Sequence, residues 1–170
     1  MTSNIQERVG IRRYNFNEEK FERFYDIADQ SFFFGSPWTI EQFQETLARE
    51  DLVFFVAEIR GHLIGYIGGR IVLDEAEIYT VVVSKEYQKQ KVAHYLLKRF
   101  KEECRARNVK AVFLEVRESN VAAMSFYLKN QFEVVSVRKN YYTDPQEDGL
   151  IMKSKSGEKE EDGKETNPGD

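Results

Sequence analysis

The stretch VSKEYQKQKVAHYLLKRF, residues 83–100, changes hydrophobic period halfway along. It begins as the end of an apolar run, EAEIYTVVV, which predicts a strand, and finishes as an amphipathic helix turning Val92, Leu96, Leu97, Phe100 and Cys104 inward. Between them lies a polar turn, Gln88-Lys89-Gln90-Lys91-Val92-Ala93. The first N–H groups of a helix have no partner within it, and the helix dipole favours negative charge there. A strand feeding a helix through such a turn is therefore a place to hold a phosphate. This turn contains no glycine, the residue that lets backbone and phosphate approach most closely.

The remaining segments extend the alternation. RVGIRRYN predicts a first strand, and NEEKFERFYDIADQSFF a helix with Phe21, Phe24, Tyr25, Ala28 and Phe32 on one stripe and Asn17 as its cap. After GSPW breaks the chain, TIEQFQETLARE opens with a Thr–Gln capping-box pattern. DLVFFVAEI and IGYIGGRIVL form a hairpin across RGHL, the glycines of the second strand signalling a bend or close backbone approach. VKAVFLEV reads as a fifth strand buried on both faces, SNVAAMSFYLKN as a short helix, and FEVVSVRKNYY and EDGLIMKS as the closing strands. The expectation is an α/β protein with a mixed α+β sheet of about seven strands and four helices. Residues 1–8 are expected to be loose, 9–153 to form one domain, and 154–170 to be a disordered charged tail.

Net charge is -4, so a nucleic-acid face is not expected. No apolar run is long enough for a membrane span, the N-terminus lacks a signal-peptide core, and a cytoplasmic location is expected. The single cysteine, Cys104, has a core spacing that favours inert packing. His62 and His94 lie apart from thiol or carboxylate company, so no metal is expected.

Four segments together carry a family likeness: SPW, LDEAEIYTVVVSKEYQKQKVAHYLL, LEVRESNVAAMSFYLKNQFEVVSVRKNYY and EDGLIMK. They resemble the GNAT acetyltransferases, and within them the RimI type that acetylates the N-terminal alanine of a small-subunit ribosomal protein. The likeness spans about residues 8–153. It implies the GNAT fold and acetyl-CoA as cosubstrate. The turn matches the family's Q/R-x-x-G-x-G/A pattern at Gln88 and Ala93 but places Lys91 at the usual glycine. The resemblance seats the pyrophosphate on the backbone of Lys89, Gln90, Lys91, Val92, Ala93 and His94. If Lys91 is helical it keeps its amide and adds a cation; if it needs a positive φ, lysine costs about 1 kcal/mol or more.

An acetyltransferase must deliver a neutral amine to a thioester, polarise its carbonyl and protonate the departing thiolate. The resemblance gives the second task to the backbone amides of Val81, Val82 and Val83. The side chains of VVV read simply as β core. Glu115 interrupts an apolar strand, where a charge needs a purpose or a partner. From pattern alone it reads first as a same-face pair with Arg117 or a strand-end charge reaching water; the resemblance makes it the general base. Tyr127 reads as an aromatic core residue beside Phe126, and the resemblance makes it the general acid. Asn120 is a helix cap, a cofactor contact, or both.

The acceptor is constrained by chemistry. At pH 7.5 about a quarter of α-amines with pKa near 8 are neutral, against roughly a thousandth of lysines near 10.4. This favours a protein or peptide N-terminus, and the resemblance points to a ribosomal protein. Trp38 and the segment around Asn140, Tyr141 and Tyr142 are expected to frame the peptide, although edge-strand packing accounts equally for the tyrosines. Asp148 reads as structural. Alternatives are an enzyme for a small-molecule amine or internal lysine, and a CoA-binding module weakened by Lys91.

Overall fold

The computed structural model describes residues 5–155 apart from Glu19, Phe33 and Phe34. The tail from 156 onward therefore lies outside the described residues, while Ser154 and Lys155 belong to the last strand rather than to the tail. The elements run α1 (Ile5–Arg8), β1 (Gly10–Arg13), α2 (Phe21–Ser31), α3 (Ile40–Leu47), β2 (Leu52–Ile59), β3 (His62–Val72), β4 (Glu75–Val83), α4 (Val92–Ala106), β5 (Ala111–Arg117), α5 (Val121–Lys129), β6 (Glu133–Tyr142) and β7 (Glu147–Lys155). The expected seven strands and four longer helices are all present. The segment read as loose includes one helical turn, α1, whose Ile5 packs on the core.

Local chemistry accounts for the helix starts unevenly. Thr39 and Gln42 close a reciprocal capping box on α3, as the sequence predicts. Asn17 does not cap α2. Its N–H bonds to Asn15 Oδ1 at 3.0 Å within the preceding turn, and Lys20 stands at the cap without a side-chain bond. Packing of Phe24, Ile27 and Ala28, all buried, fixes α2 instead.

All seven strands join one sheet in the order β1-β2-β3-β4-β5-β7-β6. Only β4 and β5 run parallel; the other neighbours are antiparallel. On one face α4 and α5 bury Phe55, Ile67, Leu96, Leu97, Phe100, Val112 and Met152. On the other, α2 and α3 bury Phe24, Phe43, Phe54 and Tyr66, over β2, β3 and the end of β4. Among the described residues, no helix covers the second face of β5, β7 and β6. This corrects the expectation that β5 is buried on both faces: Val112, Leu114 and Val116 are buried, while Phe113, Glu115 and Arg117 are half-buried on the open side.

The β3–β4 register slips between Gly68 and Gly69, which face Thr80 and Ile78, leaving Tyr79 as the extra residue of a bulge on β4. A Cβ on Gly68 would stand 2.1 Å from Phe54, and one on Gly69 2.2 Å from the Glu77 carbonyl. The glycines of β3 are therefore explained by close approach at this bulge.

Candidate active site

The β4–β5 ladder begins at Glu75↔Ala111 and ends at Ile78↔Leu114, one residue before the Tyr79 bulge. Beyond it β4 stays paired to β3 as far as Val83, while β5 stays paired to β7 through Arg117. The two parallel strands splay apart. Ser84 N–H bonds to the Ile64 carbonyl at 2.7 Å, so in the antiparallel alternation Val82 bonds to β3, while the backbone groups of Val81 and Val83 face β5 and lose their strand partner. The side chains of all three valines pack into the two cores, as expected of a β core. Val83 closes the wedge at its top: its carbonyl accepts from Ser31 Oγ at 3.1 Å and Gln88 Nε2 at 2.9 Å.

A 3-10 turn, Lys85–Tyr87, leads to the polar turn. Gln88 serves this turn through its side-chain bond to Val83 rather than through a free amide group. Lys89 and Lys91 both adopt left-handed backbone conformations, with φ of 60° and 65°. Lys91 is the α4 cap residue, so the position that usually holds glycine does require a positive φ, and the helical alternative for Lys91 is excluded. Tyr95 N–H is bonded to the Lys91 carbonyl at 3.1 Å, leaving the amides of Val92, Ala93 and His94 as first-turn donors. No acidic residue stands in that turn, and Lys89, Gln90 and Lys91 are exposed. The arrangement suits a phosphate. The His94 imidazole is turned away from this role, 3.0 Å from Asn130 Oδ1.

On the open face below the wedge lies a cleft of about 390 Å³ whose walls include Glu77, Tyr79, Phe113, Glu115, Arg138 and Ile151. Glu115 reaches it from β5. Its Oε1 is 3.3 Å from Arg138 Nε, and its side chain is 21 % exposed. Arg117, the partner that sequence spacing offered, pairs instead with Glu147 at 3.0 Å. Glu77 shares the cleft from β4. Burial, and then the charge of Glu115, raise its carboxyl above the usual range. Sequence reading passed over both Glu77 and Arg138. The polar alternation of EAEIY could have indicated Glu77; nothing local could have placed Arg138, which lies two strands away from Glu115.

Tyr127 stands on the other side of the sheet, on α5, within the core beside Phe126 and Phe132. Burial pushes its phenol above the ordinary range, so it keeps its proton throughout the neutral region. Glu115 and Tyr127 thus lie on opposite faces of the sheet. Asn120 caps α5, its Oδ1 accepting from the Ala123 amide at 3.1 Å. Trp38 packs edge-on against Phe43 at 5.0 Å and lines a neighbouring cleft of about 310 Å³. Tyr79 borders both clefts, so they lie side by side, one at Trp38 and the other at Glu115. Tyr141 and Tyr142 each carry an arginine over the ring: Arg138 at 5.2 Å and Arg117 at 4.3 Å. Asn140, at φ 52°, has its amide bonded to Asp148 Oδ1 at 2.9 Å, and Lys139 pairs with the other oxygen at 2.9 Å. Asp148 therefore shapes the bend between β6 and β7.

A splayed parallel pair, an amide-lined turn at its mouth and a carboxylate below it characterise one group of enzymes, and the acetyltransferase (GNAT) family matches residues 21–132. The chain belongs to the GNAT acetyltransferases. A ribosomal protein bS18-alanine N-acetyltransferase of Escherichia coli (strain K12) is 34% identical over 118 residues, covering 68% of this chain and 79% of that protein. An N-alpha-acetyltransferase RimI of Mycobacterium tuberculosis (strain ATCC 25618 / H37Rv) is 30% identical over 141 residues, 81% of this chain and 87% of that one. Among solved structures, the Escherichia coli ribosomal-protein-S18-alanine N-acetyltransferase superposes with a TM-score of 0.78 at 28% identity, over 92% of this chain and 99% of that one.

As a GNAT acetyltransferase the protein takes its acetyl group from acetyl-CoA. The wedge fits that donor in shape and in donors: a gap between two strands for an extended thioester arm, and a cationic, acid-free helix start for a pyrophosphate. Among the described residues no cluster of three or more His, Cys, Asp or Glu could hold a metal ion, and no helix is long and apolar enough to cross a membrane. Cys104 is fully buried in α4, where burial pushes its thiol up to about 12, so it offers no nucleophile.

Proposed function

We propose that this enzyme acetylates protein N-termini, with the N-terminal alanine of a small-subunit ribosomal protein as its acceptor. The observation that carries the reading is the likeness to relatives named for that reaction, at 30–34% identity over most of the chain. The two clefts that adjoin at Tyr79, one reaching Trp38 and the other Glu115, support it, because side by side they offer room for several residues of an extended chain.

In this reading the amides of Lys89, Gln90, Lys91, Val92, Ala93 and His94 receive the pyrophosphate, and Asn120 contacts the cofactor as well as capping α5. The thioester arm lies in the wedge, its carbonyl polarised by backbone amides of the Val81, Val82 and Val83 segment, of which those of Val81 and Val83 are turned toward the gap. The acceptor's α-ammonium enters from the open face, framed by Trp38, Asn140, Tyr141 and Tyr142, and Glu115 takes a proton from it directly or through water. The neutral amine attacks the carbonyl carbon; the C–N bond forms, the tetrahedral intermediate releases its remaining extra N–H proton to water as it collapses, and the C–S bond breaks. Tyr127, on the far face, donates its proton toward the departing thiolate. Transfer is direct within a ternary complex.

The test is a pair of short peptides incubated with acetyl-CoA: one with a free N-terminal alanine, the other N-blocked with an internal lysine. Thiol release and a 42-dalton class of mass gain, about one acetyl group, are expected only for the free N-terminus, where the lower amine pKa leaves more neutral nucleophile. Equal acetylation of the blocked peptide would reject the assignment.

A further inference from the structure

Glu115 and Arg138 meet although their strands are not neighbours. β7 lies between β5 and β6, with Gly149 facing Arg117 on one side and Arg138 on the other, and Ile151 facing Glu115. Cross-strand partners project from the same face, so Arg117, Arg138 and Glu115 share the open side of the sheet. At Gly149 the surface between the two arginines is clear of any side chain from β7. The tyrosine rings use that space: a Cβ on Gly149 would stand 3.2 Å from Tyr142 and 3.3 Å from Tyr141. Each ring supports one arginine, but the two guanidinium groups have different destinations. Arg117 is drawn to Glu147 and the Pro145 carbonyl at the rim. Arg138 lies over Tyr141 and turns across β7 to Glu115.

We infer that Arg138 is a positioning residue for acetyl transfer: it pairs with the Glu115 carboxylate across β7 and so orients it toward the acceptor amine. The inference rests on Glu115 being the general base. A glutamate side chain on an open strand face has several rotamers, and fixing one costs entropy that an ion pair offsets. The nearest approach is Arg138 Nε to Glu115 Oε1 at 3.3 Å, an ion pair that restrains the carboxylate. Tyr141 acts in turn through Arg138, restricting a long side chain that is 51 % exposed. The base is thus held by β6, the strand that also borders the acceptor cleft. Misplacing a catalytic group by about 1 Å can cost as much as 100-fold in rate, so the geometry of this pair bears on kcat.

The experiment compares Arg138→Met, Arg138→Lys, Glu115→Gln and the double variant Glu115→Gln/Arg138→Met with the wild type, using the free-N-terminus peptide. An acetyl-CoA-induced rise in melting temperature confirms that each variant is folded. Arg138→Met is expected to lower kcat about tenfold with the KM for acetyl-CoA unchanged, and Arg138→Lys to recover part of it. In the Glu115→Gln background Arg138→Met is expected to change kcat less than about twofold, because the group it positions is gone. An unchanged kcat in Arg138→Met, or the same loss in both backgrounds, overturns the positioning role while leaving Glu115 as base. Wild-type kcat in Glu115→Gln alone overturns the base assignment, and the positioning role with it.

Discussion

Gln88 Nε2 donates to the Val83 carbonyl at 2.9 Å, so the first residue of the polar turn is tied to the last residue of β4. The two ends of the proposed acetyl-CoA site, amides along the wedge and amides at the start of α4, are thereby held in one register. A hydrogen bond of this kind contributes about 1 kcal/mol net. Gln88→Leu is expected to raise the KM for acetyl-CoA about threefold to tenfold, with a smaller change in kcat. Steady-state kinetics with saturating acceptor measure it, and an unchanged KM would show that Ser31, which shares the carbonyl, suffices.

Lys91 occupies φ 65° without glycine's freedom. That conformation costs a lysine about 1 kcal/mol or more. Lys91→Gly is expected to raise the melting temperature by about 2–4 °C, the shift that 1 kcal/mol produces in a chain of this size. Lys91→Ala keeps the backbone cost and removes only the charge, so it separates the two contributions. It should leave the melting temperature nearly unchanged and weaken acetyl-CoA binding if the ammonium assists the phosphates. Calorimetric scans of both variants decide the matter; a lower melting temperature for the glycine variant would contradict the strain argument.

Glu115→Gln and Tyr127→Phe are each expected to reduce kcat about 100-fold, the lower range for loss of a general base or acid. Because burial holds the Tyr127 phenol above its ordinary range, it remains protonated through the neutral region and well past it. An alkaline limb in kcat below about pH 10 is therefore not expected to come from this tyrosine. A limb below that pH that disappears in Tyr127→Phe would refute this.

Asp148 offers a test in acid. Its carboxyl is held below the usual range, first by the Asn140 amide and then by Lys139. A group with a depressed folded-state pKa contributes stability that is full above its unfolded value, about 3.9, and is lost as pH falls through the folded value. The stability difference between wild type and Asp148→Asn should be constant above about pH 5 and shrink below pH 4. Urea titrations from pH 3 to 7 measure it. A difference that grows toward low pH would reverse the assigned sign.

Much of this fold was legible before any coordinates. Hydrophobic period gave the seven strands and the four longer helices, and the Thr39–Gln42 capping box forms as written. These are local signals: side-chain spacing and cap chemistry act within a few residues. Asn17 shows the limit of such signals, since a capping residue does not start a helix where packing of Phe24 and Ile27 sets its position. The motif around Gln88 and Ala93 located the turn, and LEV located a carboxylate on an otherwise apolar strand.

By itself the sequence determined the seven strands and four longer helices, their order and the position of the turn, and its likeness to the GNAT family supplied Glu115 and Tyr127 as candidates. The tertiary structure decided what those residues can do. The Tyr79 bulge ends the β4–β5 ladder and opens the wedge; Lys91 proves to be left-handed; Glu115 is paired with Arg138 rather than Arg117; and Glu77 joins the same cleft. Each of these depends on which strands become neighbours and which face a helix leaves open. Pairings between residues such as Glu115 and Arg138 leave no periodic trace along the chain, because they arise only when separate strands are brought together in one sheet.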